Sequence, residues 1–156
     1  MVQSNTLIIT GPTGVGKSGI AIAIAKQNPE IEIINADSVA VYRHFDIGTA
    51  KPTLEEQAGV PHHLLSVIEP NEEFTAAMFY RKTLETIHDI EARGKNALIV
   101  GGSGMYLKSL LYGIWGTPGK DPEKRALLEA EDCPALFERL EKLDPVSAKR
   151  IGPTDK

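Results

Sequence analysis

The chain has 156 residues, the size of one ordinary domain, and its 17 basic and 21 acidic residues give a net charge of −4, which argues against non-specific coating by nucleic acid. A composition of 42% hydrophobic and 24% charged residues excludes disordered, collagen-like and low-complexity classes. The single cysteine excludes an internal disulfide, the longest apolar run is too short to span a bilayer, and residues 1–10 do not resemble a signal peptide, so we expect a cytoplasmic protein without a membrane segment.

The first third of the chain predicts a strand, a glycine-rich loop, a helix and a second strand. Residues 6–10 form a short β-branched run that ends at a glycine, which is typical of a buried strand. An Ala-rich stretch at 18–26 predicts a helix that stops before Pro29. Residues 31–35 then predict a second strand, and Asp37 follows it directly.

The middle of the chain begins with a long loop and ends in a regular pattern. Residues 39–63 carry scattered Gly and Pro and no sustained period, so we expect an extended loop with a helical turn at 53–58. Residues 62–68 predict a short third strand. Apolar residues at a period near 3.6 predict a helix over 74–93, and residues 97–100 predict a fourth strand that runs into glycines.

The last part of the chain changes character. Residues 105–111 open another helix, Trp115 is expected in the core, and Gly-Thr-Pro-Gly at 116–119 predicts a linker. Residues 121–150 predict short polar helices, punctuated at Pro122, Pro134 and Pro145.

The most specific motif lies between the first strand and the first helix. It matches the phosphate-binding pattern of Gly, four residues, Gly, Lys and Ser or Thr. In such a loop backbone N–H groups point at phosphate oxygens, the lysine reaches the outer phosphates and the hydroxyl ligates Mg²⁺. Backbone amides contact phosphate oxygens in the same way in ATP and in a bare diphosphate. The motif therefore predicts phosphate or nucleotide binding but does not say which of the two molecules is bound. Its members are Gly11, Pro12, Thr13, Gly14, Val15, Gly16, Lys17 and Ser18.

Alternating strands and helices around this motif predict an α/β fold. We expect a P-loop, Rossmann-like parallel sheet with helices on both faces, incomplete in its strands, over residues 1–115. Residues 116–156 are expected to begin a helical insertion. Ligands of such sheets gather at the carboxyl ends of the strands.

Two polar residues are placed at those strand ends. Asp37 follows the second strand, where it can hold Mg²⁺ through water, act as a general base, or accept hydrogen bonds from its own turn. Ser103 follows the fourth strand, where it can donate to a leaving group or a bound base, or cap the next helix. We count Lys17, Asp37 and Ser103 as catalytic candidates.

The remaining polar residues carry weaker signals. His62 and His63 are adjacent, so on a strand they point to opposite faces and cannot ligate one metal together. Lys51 is one of several scattered cations for which we expect a solvated surface position.

Seven segments together make the chain resemble the tRNA dimethylallyltransferases, also called tRNA isopentenyl transferases. The segment at 46–52 is the most discriminating, because P-loop kinases do not carry it there. The segments are the glycine motif, Asp-Ser-Val-Ala-Val-Tyr-Arg at 37–43, Asp-Ile-Gly-Thr-Ala-Lys-Pro at 46–52, Val-Pro-His-His-Leu at 60–64, Gly-Gly-Ser-Gly-Met-Tyr at 101–106, Asp-Pro-Glu-Lys-Arg at 121–125 and Asp-Pro at 144–145.

The resemblance implies transfer of a dimethylallyl group from its diphosphate to N6 of an adenosine beside the tRNA anticodon. It implies that residues 13–18 bind the diphosphate of the donor with Mg²⁺, which Ser18 ligates, and that Asp37 takes the proton from N6. An extruded base is the expected acceptor. The residues implied to contact tRNA are Asp37, Ser38, Val39, Ala40, Ser103 and Arg125.

The chain also departs from the family pattern. Ala40 stands where Gln is frequent, Gly14 and Val15 replace Ala and Ser, and hydroxyls are kept where Ser18 and Ser103 replace Thr. Relatives continue beyond the equivalent of position 155 into an Arg-rich segment, so we expect a truncated form in which residues 116–156 only begin the tRNA-binding insertion. We separately expect a monomer. The alternatives are prenylation of free adenine nucleotides, a small P-loop kinase, or a fragment that only binds.

Overall fold

The computed structural model describes residues 6–114 and 121–155. The chain divides into two compact units, and the division falls between residues 114 and 115. The predicted linker at 116–119 and the predicted core position of Trp115 lie outside the described residues.

The first unit is a parallel sheet with helices between its strands, as the sequence predicts. The sheet order is β1-β4-β2-β3, and every pair is parallel. The strands are β1 (Leu7–Ile9), β2 (Ile31–Asn35), β3 (His62–His63) and β4 (Asn96–Val100). The helices are α1 (Lys17–Gln27), α2 (Leu54–Gln57), α3 (Ala76–Ala92) and α4 (Gly104–Tyr112).

Strand β3 is shorter than the prediction over 62–68. It pairs with β2 only from His62 to His63. Directly afterwards the backbone takes left-handed conformations at Leu64 (φ 58°) and Ser66 (φ 51°), which a strand does not accommodate. The prediction of a longer strand is therefore wrong at its carboxyl end.

Helices cover both faces of the sheet, which confirms the predicted layering. On one face α1 presents small side chains, so it approaches β2 and β4 closely; the buried residues there include Ala21, Ala25, Ile33 and Leu98. On the other face α3 and α4 pack through aromatic rings, and Phe79 stacks on Tyr106 with ring centroids 4.2 Å apart. Thr75 is the N-cap of α3, and its hydroxyl accepts a hydrogen bond from the Met78 N–H at 3.2 Å.

A charged residue lies inside this core. Glu32 of β2 is 1% exposed and is on the face that α3 covers. Its carboxylate accepts hydrogen bonds from Arg93, from Lys95 Nζ at 2.7 Å and from His63 Nε2 at 2.7 Å. The bond from the Arg93 guanidinium is the largest of the effects that hold the pKa of Glu32 well below its usual range, against the opposing effect of burial. Three separate elements are thus joined at one buried carboxylate.

We expect Glu32→Gln to lower the free energy of unfolding by about 3 kcal/mol at pH 7, because it leaves three cationic or donor groups facing a neutral amide. Since the pKa of Glu32 is lower in the folded than in the unfolded state, its stabilisation is complete above the ordinary carboxyl range and is lost as the pH falls through the folded-state value. Urea unfolding of both proteins between pH 7 and pH 3 should show a difference that is constant above about pH 5 and shrinks below it. Glu85→Gln, on the exposed face of α3, is the control; an equal loss in both variants would contradict the prediction.

The second unit consists of three short helices. They are α5 (Pro122–Glu129), α6 (Cys133–Leu143) and α7 (Pro145–Ala148), which confirms the prediction of short helices here, and each has a proline in its first turn. Asp121 and Asp144 cap two of them through their side chains, which accept from the Lys124 and Ser147 N–H groups at 2.9 and 3.0 Å. Over the described residues, no helix is long and apolar enough for a membrane crossing.

Candidate functional site

Three loops meet at the carboxyl edge of the sheet because β4 lies between β1 and β2. They are the glycine loop (residues 11–18) after β1, residues 36–40 after β2, and residues 101–103 after β4. The end of β4 is bonded to both neighbours: Gly101 N–H donates to Ile9 O at 3.1 Å, and Ala36 N–H donates to Val100 O at 2.7 Å. The sequence prediction that these segments share one edge is therefore fulfilled in the fold.

The glycine loop has the backbone conformation that its glycines permit. Gly14 (φ 84°) and Gly16 (φ 87°) are left-handed, and Gly16 is the N-cap of α1. The first hydrogen bond of α1 runs from Ile20 N–H to Gly16 O at 3.1 Å. The preceding N–H groups have no acceptor within the helix and lie at the positive end of its dipole. Lys17 Nζ lies over the loop, where it donates to Gly11 O at 2.9 Å and Pro12 O at 2.7 Å.

The loops surround a cavity of about 370 Å³. One wall is the glycine loop with the start of α1, the floor is the ends of β2 and β4, and the opposite wall is residues 49–52. Of the residues singled out from the sequence, the cavity is lined by Thr13, Gly14, Gly16, Lys17, Ser18, Asp37 and Ala40.

Asp37 is both a turn residue and a candidate base. Its Oδ1 accepts hydrogen bonds from Val39 N–H at 2.8 Å and Ala40 N–H at 3.2 Å, so the local role considered from the sequence is present. Its Oδ2 has no hydrogen-bond partner in the part of the chain that the structure describes. One oxygen thus fixes the carboxylate, and the other is available to a ligand in the cavity.

Asn35 is a site residue that the sequence reasoning missed. It is buried at the end of β2, and its Nδ2 donates to Asp37 O at 3.1 Å and Leu64 O at 3.0 Å, while its Oδ1 accepts from Asp37 N–H at 3.2 Å. The side chain therefore holds the backbone of Asp37 on both sides and ties it to the end of β3. An amide two residues before a strand-end carboxylate is the signal that could have found it.

Ser103 occupies the N-cap position of α4, but its side chain makes no capping hydrogen bond. Its Oγ instead accepts from Ser38 N–H at 2.8 Å, while its own N–H donates to Ala36 O at 3.2 Å. The capping alternative is wrong for the side chain, because the residue joins the loop after β4 to the loop after β2. The hydroxyl hydrogen remains available to donate.

The two glycines before Ser103 allow the three loops to touch. A Cβ at Gly101 would lie 2.2 Å from the backbone carbonyl carbon and oxygen of Ala36. A Cβ at Gly102 would lie 3.1 Å from Gly11 O, in the glycine loop. Close backbone contact, and no special φ value, is the reason for glycine at these positions.

The histidines lie on opposite faces of β3, as predicted. His63 bonds Glu32 on the α3 side, whereas His62 lines a small cavity with Ser18 and Ala21 on the α1 side. Burial lowers the pKa of His62, whose Nδ1 is 2.8 Å from Val60 O. The expectation that Lys51 is a solvated surface cation is wrong: its side chain is 6% exposed, because three oxygens surround the ammonium.

Arg125 belongs to the second unit. It lies on α5 with its side chain 77% exposed, and its Nε donates to Glu129 Oε1 at 2.8 Å.

Ser38 and Val39 are exposed beside Asp37 in the first unit. Within the described residues no group of three or more His, Cys, Asp or Glu side chains is placed to hold a metal ion.

Comparison with known proteins identifies the family to which this chain belongs. The family model described as IPP transferase matches residues 40–156. The tRNA dimethylallyltransferase 1 of Citrifermentans bemidjiense is 47% identical over 150 residues, which are 96% of this chain and 49% of that protein. The tRNA dimethylallyltransferase of Myxococcus xanthus is 49% identical over 152 residues, 95% of this chain and 49% of its own length.

Two solved structures share the fold. A eukaryotic dimethylallyltransferase acting on tRNA matches with a TM-score of 0.83 at 34% identity, over 97% of this chain and 39% of that one. The tRNA isopentenylpyrophosphate transferase of Bacillus halodurans matches with a TM-score of 0.70 at 37% identity, over 98% of this chain and 52% of that one. The chain spans about half the length of the curated relatives it matches. On the family match and these similarities, the chain belongs to the IPP transferase family.

Proposed function

We propose that this chain provides the reaction centre of a tRNA dimethylallyltransferase, which moves a dimethylallyl group from dimethylallyl diphosphate to N6 of an adenosine beside the tRNA anticodon. The observation that carries the proposal is the cavity that Asp37 shares with Lys17, Ser18 and the glycine loop, together with an Asp37 Oδ2 that has no hydrogen-bond partner among the described residues. The relatives that act on tRNA support this substrate over the phosphoryl acceptor of a kinase.

The glycine loop is the proposed site of the donor diphosphate. Backbone N–H groups at the start of α1 and the positive end of its dipole favour an anion there. Lys17 Nζ can exchange its bonds to the Gly11 and Pro12 carbonyls for phosphate oxygens of greater charge. These contacts would stabilise the diphosphate more as it leaves, because its negative charge grows as the bond to carbon breaks.

The donor set of the cavity fits Mg²⁺. Ser18, which carries a hydroxyl, lines the same space as the glycine loop, and Mg²⁺ prefers oxygen ligands and keeps waters and phosphate oxygens around it. We propose Ser18 as its direct protein ligand. When bound, the ion would neutralise charge on the departing diphosphate.

Asp37 is the proposed general base. The N6 amine attacks the primary carbon of the donor, the C–N bond forms as the C–O bond to diphosphate breaks, and diphosphate takes the bonding electron pair. The N6 proton passes to Asp37 Oδ2, which leaves a neutral secondary amine. Because Oδ1 is held by Val39 and Ala40, the base keeps one orientation throughout.

The acceptor is proposed to enter beside Asp37, where Ser38, Val39, Ala40 and Ser103 follow the strand ends. Ser103 has a hydroxyl hydrogen to donate to a base edge. Arg125, exposed on α5, is the proposed contact of the second unit with RNA, through a phosphate. We further propose that the enzyme is a monomer and that it acts in the cytoplasm.

Isotope-labelled dimethylallyl diphosphate tests the proposal when it is incubated with the chain, Mg²⁺ and one acceptor at a time. Label in tRNA supports it, and label only in free AMP would assign prenylation of adenine nucleotides instead. ATP-dependent phosphorylation of a small acceptor would overturn it in favour of a kinase. Pyrophosphate binding with no transfer to any acceptor would mean that this chain only binds. The same assay, repeated with the chain extended by a relative's carboxyl-terminal half, would then show whether that half is needed for transfer.

We expect Lys17→Met to weaken binding of inorganic pyrophosphate by about 10- to 100-fold, because it removes a charge-assisted bond worth about 1.5–3 kcal/mol. Isothermal titration calorimetry in the presence of Mg²⁺ measures the affinity. Lys26→Met, exposed at the other end of α1, is the matched control and should bind as the parent does. Equal affinities for both variants would exclude Lys17 from the diphosphate site.

A further inference from the structure

The most distinctive segment of the sequence, residues 46–52, has no part in the chemistry above. Its carboxyl half lines the cavity opposite the glycine loop. Behind it lies a second cavity of about 330 Å³, between this segment and Leu54, Gln57 and Leu65. With Ile47 96% exposed and open space on two sides, apolar packing contributes little to the position of this wall.

Hydrogen bonds from Lys51 hold this wall in place where apolar packing does not. Its side chain is 6% exposed, and its ammonium donates to Tyr42 O at 2.7 Å, to Asp46 Oδ1 at 2.8 Å and to Ser66 Oγ at 3.0 Å. A lysine ammonium has three hydrogens, so all of its donors are used within the protein. With all three hydrogens used within the protein, this ammonium joins three separate groups, which is a structural role.

Two groups that bond Lys51 belong to residues connected to the turn of Asp37 by further hydrogen bonds. Tyr42 N–H donates to Val39 O at 3.1 Å, and Val39 N–H donates to Asp37 Oδ1 at 2.8 Å. Ser66 N–H donates to Ala40 O at 3.0 Å. The ammonium therefore joins the cavity wall, the turn that carries the proposed base and the chain that follows β3.

We propose that Lys51 is a positioning residue, which fixes the wall at residues 46–52 against the turn of Asp37 and so sets the width of the cavity across from the glycine loop. The effect of Lys51 on prenyl transfer rests on the proposed function. Its effect on the position of the wall does not depend on that function, and transfer and wall position are measured separately.

Amide hydrogen exchange of Lys51→Met tests the positioning role. We expect the bonded amides of Tyr42, Arg43, Ser66 and Val67 to exchange about tenfold faster, while those of α3 change by less than about twofold. Lys51→Arg keeps the charge and should recover part of the protection. Lys82→Met, exposed on α3, is the control for the loss of a lysine and should behave as the parent does.

Unchanged exchange at the four amides would overturn the proposal, and so would an equal acceleration in α3, since Lys51 would then support the whole fold. If Lys51→Met does not fold, Ser66→Ala decides, because it removes one acceptor only and should accelerate the same amides about threefold. With labelled donor and tRNA, Lys51→Met should lower kcat/KM while pyrophosphate affinity stays within about twofold of the parent. A parent without transfer would count against the proposed function, and the exchange results would still decide the role of Lys51.

Discussion

Asp37→Asn should lower the rate of prenyl transfer by about a hundredfold to ten-thousandfold, the usual contribution of a general base. The amide keeps an oxygen that can accept from Val39 and Ala40, so the turn is preserved while the proton acceptor is lost. Pyrophosphate affinity should stay within about twofold of the parent, because the glycine loop is a separate segment. Single-turnover transfer to tRNA, with calorimetry of pyrophosphate binding, measures both quantities.

Asp37→Ala provides the companion variant. It removes the base and the turn together, so it should lose at least as much activity as the asparagine variant and also some stability, about 1 kcal/mol for two lost backbone contacts. Transfer by Asp37→Asn at the parental rate would exclude the carboxylate as the base. Its role would then be only to stabilise the turn.

Gly101→Ala should be the most damaging small substitution in the first unit. Its new methyl group would lie 2.2 Å from the Ala36 backbone, which cannot move without shifting both β2 and Asp37. We expect a loss of about 3 kcal/mol or more in the free energy of unfolding, at the upper end for overpacking because backbone must give way. Transfer should fall with it, since Asp37 directly follows Ala36.

Gly104→Ala is the matched control for that variant. It lies three residues later in the first turn of α4, where a Cβ meets nothing within 4 Å, and alanine favours the helix. Urea unfolding should find this variant as stable as the parent or slightly more so. Equal stability of the two alanine variants would mean that the backbones at positions 101 and 36 separate easily.

Much of the fold follows from local sequence pattern. Strands β2 and β4 are short β-branched or aliphatic runs, helix α3 has a sustained period of 3.6, and the helices of the second unit begin at prolines. These signals act over a few residues, so the ends of β2, β4 and α3 are predicted to within two residues. The glycine loop and Asp37 also lie where the sequence predicts them, at the carboxyl ends of strands.

The residues that escaped prediction depend on partners far away in the chain. Glu32 is buried because Arg93, Lys95 and His63 surround it, and Lys51 is buried because Tyr42 and Ser66 supply oxygens. A charge in a sequence indicates solvent by default, since unpaired burial is costly. Only the assembled fold reveals that the pairing exists.

The short β3 illustrates the same limit for backbone. Residues 64–68 are apolar enough for a strand, yet Leu64 and Ser66 adopt left-handed φ values. The Ser66 amide donates to Ala40 O, the Val67 and Ile68 amides donate to Val41 O, and Leu64 O accepts from the Asn35 side chain. These bonds replace continued pairing with β2. Tertiary hydrogen bonding therefore outweighs β propensity there.

The sheet order also determines when the reaction centre can form during synthesis. Strand β1 and strand β2 are never neighbours, and each is bonded to β4, which is the last of the four to leave the ribosome. Before residues 96–103 emerge, the glycine loop and Asp37 lie on segments with no strand between them. A β1 or β2 formed at that stage would have no partner on the edge that later faces β4, and unpaired strand edges make folding intermediates prone to aggregation. Addition of the five-residue β4 pairs both of these edges and brings the glycine loop and Asp37 together.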